Sequence, residues 1–108
     1  MFASKTQTIN NKSQMKNKSI KVGSHQSEIH SADGNLIVLI SYRTAVAAWV
    51  RGRGALCSTS FFSKSTSRHI NRAVVRWQAP RVDVPQAEIT ALAVKIGYYG
   101  AGAVVFGD

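Results

Sequence analysis

The sequence predicts a small α+β protein: a small antiparallel sheet of three or four strands, including a hairpin, packed with two helices and preceded by a flexible basic N-terminal arm. Three observations lead there. The β-branched run "NLIVLIS" has the length and character of a buried strand. Two apolar arms, Thr44 to Val50 and Ala55 to Phe61, flank Arg51-Gly52-Arg53-Gly54. Two later stretches repeat apolar residues at helical spacing.

With 108 residues the chain is one domain's worth of material, and its apolar residues are sparse before Leu36. Residues 1–18, "MFASKTQTINNKSQMKNK", hold too few apolar side chains to offset the entropy of ordering the backbone, so they read as a flexible arm. Residues 19–108 then form the single domain. A core of that size is marginal alone, which favours a homo-oligomer.

Within the domain, "SIKV" reads as a short strand and "SADGNL" as a turn around Asp33-Gly34. Gly52 and Gly54 supply the positive φ angles a hairpin turn needs. Strict alternation in the first arm puts Tyr42, Thr44, Val46 and Ala48 on one face and Ala45, Ala47 and Trp49 on the other.

A helix follows, with Ser65, Thr66 or Ser67 as its N-cap and its end near Trp77. Ile70, Ala73, Val74 and Trp77 make its apolar face; Arg68, Arg72 and Arg76 recur at i, i+4 and i+8 on another, with Asn71 beside them. "RVDVPQAEITALAVKIG" reads as the second helix, with Asp83 as cap, Pro85 in the first turn, Ile89, Leu92, Ala93 and Ile96 as its buried stripe, and Gly97 in the left-handed C-terminal position. The tail "YYGAGAVVFGD" is too glycine-rich for a helix and suits an edge strand or a segment packed on a neighbouring subunit.

Charge narrows the function. The formal net charge is +9, from 14 Lys and Arg against 5 Asp and Glu, which implies an anionic partner. Lys5, Lys12, Lys16, Lys18 and Lys21 fill the first block, while residues 43–81 carry seven arginines and Lys64 with no acid. Arginine suits fixed, bidentate phosphate contacts. The single cysteine, Cys57, forms no internal disulfide, so a reducing cytoplasm is expected. Three scattered histidines match no zinc spacing, and no metal or cofactor is expected.

Leu36 to Ile40 is too short to span a bilayer, and the N-terminal stretch lacks the apolar run of a secretory signal. There is no H-E-x-x-H, C-x-x-C, P-loop or G-x-S-x-G, and no pair of acids suitably placed, so the expectation is a binding protein, not an enzyme.

The candidate site is "SKSTSRHINR". A helix N-terminus presents unpaired N–H groups and partial positive charge to an anion, and Thr66, Ser67, Arg68, His69, Asn71, Arg72 and Arg76 add donors there. The competing reading is that the hydroxyls cap and the arginines solvate a helix face. Arg43, Arg51 and Arg53 form a secondary basic patch, and Phe61 offers a ring for stacking.

The segments "SYRTAVAAWVRGRG" and "FFSKSTSRHINRAV" resemble small phage-encoded proteins in which an S-Y-x-T-x-V-A strand precedes a strand ending in Phe or Tyr and then T-[ST]-x-H-[IL]-N. The resemblance covers roughly residues 41–77. Some such proteins are similar to the Thoeris anti-defence sponges, which sequester a cyclic ADP-ribose-type signal and, in some members, cyclic oligonucleotides in pockets at a homo-oligomer interface. The resemblance implies binding without turnover, with Phe61 stacking on a base and Asn71 and nearby arginines holding polar groups. The Lys-rich arm and the missing acids go beyond that pattern, and they keep open a nucleic-acid-binding protein or an inhibitor of a host nucleic-acid-handling complex.

Overall fold

In a computed structural model, which describes residues 16–99, six strands lie in one sheet in their sequence order. They are β1 (Lys18–Gly23), β2 (Gln26–His30), β3 (Leu36–Ser41), β4 (Thr44–Val50), β5 (Gly54–Ser58) and β6 (Arg81–Val84). The first five form an antiparallel meander, joined by turns at Ser24-His25, at Asp33-Gly34, at Tyr42-Arg43 and at the RGRG segment. Helix α1 (Lys64–Trp77) carries the chain from β5 to β6, which pairs with β5 in parallel. A parallel neighbour needs such a crossover. Helix α2 (Gln86–Lys95) follows β6.

The central strands are apolar on both faces because each face has its own helix. Leu36, Val38, Ile40, Ala45, Ala48, Leu56 and Val84 pack with Ile89, Ala93 and Ile96 of the α2 segment. Leu39, Val46, Ala47 and Cys57 pack on the other face with Ile70 and Ala73 of α1. "LIVLIS" is thus continuous rather than alternating, as a strand covered twice should be. Gly97 takes the left-handed position expected of it, at φ 90°.

Three expectations need correction. The sheet has six strands and is mixed, where three or four antiparallel strands were expected. The polar stretch "QSEIH" forms β2, with Gln26 and Glu28 buried despite their polarity. "RVDV" is β6 and not helix: Val82 and Val84 face the α2 core, Asp83 pairs with Arg81 at 3.1 Å instead of capping, and Pro85 is the residue from which α2 starts. Finally, alternation breaks in β4, because Ile40 pairs with Ala45 but Leu39 pairs with Ala47. Val46 is the extra residue of a bulge, and Val46 and Ala47 both reach the α1 core.

Residues 1–15 and 100–108, with most of the expected arm and tail, lie outside the described residues. Asn17, inside the span assigned to the arm, already belongs to the fold: its Nδ2 donates to Ile96 O at 2.8 Å and its Oδ1 accepts from Ala32 N at 3.0 Å.

Gly54 carries a local test of this architecture. Its φ is +107°, and a Cβ there would lie 2.6 Å from the Pro80 carbonyl oxygen, where Ala55 N donates at 2.8 Å to start the parallel pairing. Gly52, at φ +86°, faces open space. Gly54→Ala should therefore cost about 2 kcal/mol or more and Gly52→Ala about 1 kcal/mol, read as a larger fall in thermal midpoint for the first.

Candidate functional site

Ser63, not Ser65, Thr66 or Ser67, caps α1: its Oγ accepts from Thr66 N at 3.2 Å. The shift draws the hydroxyl cluster into the helix. Thr66 and His69, three residues apart, then face the sheet on one side of α1 and are buried. Below them Ser41, the last residue of β3, hydrogen-bonds Thr66 Oγ1 at 3.0 Å and His69 Nδ1 at 2.8 Å. The two segments that carry the phage-protein resemblance are thus joined by one buried hydroxyl. Ser41 is only 2% exposed, so this hydroxyl fixes α1 and is not open to a substrate.

Next to Ser41, Tyr42 and Arg43 make the two-residue connection to β4, with Ser41 paired to Thr44. Both have positive φ, 54° and 97°, as does His25 at 59° in the neighbouring turn. Such turns favour Asn and Gly, so bulky residues there hold backbone strain. Tyr42 N donates to His25 O at 2.9 Å, which ties the two turns together. The rings then stack: His25 on Tyr42 with centroids 4.9 Å apart, and Tyr42 on His69 at 5.7 Å. Arg68 and Arg72, both exposed, raise the positive potential at His69.

The other predicted residues are distributed differently. Arg76 does not extend a uniformly positive helix face, because it is neutralised by an acid from β2. Glu28, 4% exposed, accepts from Arg76 Nε at 2.8 Å and also from Arg76 Nη2, from Trp77 Nε1 at 3.0 Å and from His30 Nε2 at 2.9 Å. Asn71 Oδ1 accepts from Arg81 at 3.0 Å, while Ser67 is exposed. Phe61 lies in the connection between β5 and α1, beyond the strand once expected to include it, and its side chain is fully exposed; Phe62 packs on the α1 core.

The secondary patch is split. Arg43 sits beside Tyr42, whereas Arg51 and Arg53 lie at the far end of β4, roughly 20 Å away at the rise of a strand. Arg51 donates to Asn35 at 2.6 Å and lies over the Trp49 ring, and Arg53 pairs with Glu88. The cleft beside Arg51, about 580 Å³, also holds Asp33. Sequence reasoning missed Glu28, His25 and Lys21 because turns and cross-strand neighbours alone bring them to α1 and Tyr42.

Two measurements follow from these contacts. Glu28→Ala strands Arg76, Trp77 and His30, and should cost about 3 kcal/mol in denaturant unfolding; the value sits at the low end for a broken buried pair because Arg76 and His30 are each about a third exposed. For His69, burial first, and then Arg72, His25 and Arg68, hold the pKa below its ordinary 6.5. The unfolded chain then binds a proton that the folded chain refuses. The corresponding stability is present above pH 6.5 and is lost as pH falls through 6.5 toward the folded value, so the thermal midpoint of the wild type should drop there more than that of His69→Asn.

Among the described residues no three His, Cys, Asp or Glu side chains gather as metal ligands, and no helix is long and apolar enough to cross a membrane. No curated protein and no solved structure matches the chain. A family model does match, over residues 3–91, and on that match the chain belongs to DUF8033, a family of unknown function.

Proposed function

We propose that this protein binds and sequesters a phosphate-bearing nucleotide signal without turnover, as a phage or mobile-element anti-defence protein acting in the cytoplasm of a bacterial cell. One observation carries the reading. The hydrogen bonds from Ser41 to Thr66 and His69 bring both motif segments to one end of the sheet, where the His25, Tyr42 and His69 rings meet Arg43, Arg68 and Arg72. Rings and guanidinium groups without a nearby acid suit a ligand that has both a base and a phosphate.

The roles differ from residue to residue. Thr66 and His69 are consumed internally and position the helix, while Arg68 and Arg72 are exposed and available. Phe61 and Val75 are apolar and exposed, which supports a homo-oligomer that covers them and adds a second wall to the site. The same exposed arginines suit a nucleic-acid backbone, the alternative that the experiment must separate.

Calorimetric titration of the ligand-free protein with cyclic ADP-ribose isomers, cyclic di- and trinucleotides, and single- and double-stranded oligonucleotides at two salt concentrations decides between them. One small nucleotide should bind tightly, stoichiometrically and with weak salt dependence. Binding to oligonucleotides alone, fading steeply as salt rises, would replace sequestration with backbone recognition.

A further inference from the structure

We infer that the cleft on the α2 face of the sheet, between β1, the Tyr42-Arg43 turn and Tyr98, is the binding site for a phosphate ester of a ring-bearing small molecule, with Lys21 and Arg43 holding the phosphate. The inference rests on the nucleotide-binding reading and places the ligand on the face opposite α1, away from the helix start that the sequence emphasises.

The register fixes the face. Lys21 pairs with Ser27, and Ser27 with Ile40, so the three side chains stand in one row. Ile40 belongs to the core under α2, and the row therefore points to that side. Lys21, Ser27 and Ile40 contribute to a cleft of about 590 Å³, whose wall is made by His25, Tyr42, Arg43 and Tyr98. That volume lies within the about 300–1,000 Å³ typical of small-molecule sites. The cleft suits one nucleotide-sized ligand.

Its chemistry is one-sided. No carboxylate lines it, and among the described residues neither Lys21 nor Arg43 forms an ion pair. The described acids are engaged elsewhere: Glu28 with Arg76 and His30, Asp83 with Arg81, Glu88 with Arg53, and Asp33 in its turn with Ser31 and Asn35. Gln26 also lines the cleft.

The turn that carries Arg43 is held in place from two directions. Tyr98 Oη donates to Arg43 O at 2.5 Å, and Tyr42 N donates to His25 O at 2.9 Å. Tyr42 and Arg43 keep positive φ angles that a glycine or asparagine would adopt with less strain. The fold retains these two side chains at that strained position, where one contributes a ring and the other a cation to the same cleft.

The test is an NMR titration of the full chain with 5′-AMP, a cyclic dinucleotide and inorganic phosphate as probes. It compares the wild type with Lys21→Ala, with Ser27→Leu, which fills the cleft floor, and with Arg72→Ala on the α1 face. A nucleotide probe should shift the signals of Lys21, Ser27, Arg43 and Tyr98 and bind more tightly than phosphate. Lys21→Ala should weaken it roughly tenfold or more, Ser27→Leu should abolish it, and Arg72→Ala, which removes only a cation on the α1 side, should weaken it far less than Lys21→Ala does. If Arg72→Ala abolishes binding while Lys21→Ala and Ser27→Leu bind like the wild type, the ligand lies over α1 and the inference is overturned while the nucleotide reading stands. Phosphate binding as tightly as either nucleotide overturns the ester assignment, and silence with every probe, matched by silence in calorimetry, overturns both readings.

Discussion

Glu28 is the constraint on which the rest of the structure depends. A carboxylate 4% exposed in the second strand of a sheet is tolerable only if it is surrounded by donors, and the Arg76 guanidinium, the Trp77 indole and the His30 imidazole provide them. Two of the three donors are the last residues of α1. The charge therefore fixes both the height of the helix above the sheet and its rotation, since turning α1 by one residue would withdraw Arg76 from the anion.

The opposite end of α1 is fixed by neutral groups. Ser41 reaches Thr66 and His69, and burial together with the surrounding cations lowers the pKa of His69 below its ordinary value. Between these polar clamps the helix packs Ile70 and Ala73 on Leu39, Val46, Ala47 and Cys57. The small residues in β4 and α1 let helix and sheet approach closely, and the bulge at Val46 turns an additional side chain toward the helix. Apolar contact supplies the adhesion, and the polar pairs at each end select one orientation.

This division of roles leaves an asymmetric charge distribution. At the RGRG end the two arginines are occupied by Asn35, Trp49 and Glu88; at the C-terminal end of α1 Arg76 is spent on Glu28. The uncompensated cations of the described residues thus include Lys21, Arg43, Arg68 and Arg72, gathered around the stacked rings of His25, Tyr42 and His69. A net charge of +9 spread evenly would indicate only a diffuse attraction to anions. The grouping of Arg43, Arg68 and Arg72 around the stacked rings gives part of it direction.

Elements whose signals are local are legible in the amino-acid order alone. The RGRG hairpin, the "LIVLIS" strand, the helix ending at Trp77 and the stripe of Ile89, Leu92, Ala93 and Ile96 follow from turn chemistry and periodicity within a short window, and each is present. Tertiary structure decided what depends on distant partners. "QSEIH" becomes a strand because its acid meets residues 48 and 49 positions away, and "RVDV" because β5 offers an open edge that a capping pattern does not reveal. Arg76, which looks identical to Arg68 and Arg72 in the sequence, is separated from them by Glu28. Lys21 and His25 join Tyr42 only through strand register. Periodicity reports which face of an element is apolar; it carries no information on which buried charge or neighbouring turn that face will meet, and those long-range pairings decide where positive charge remains available.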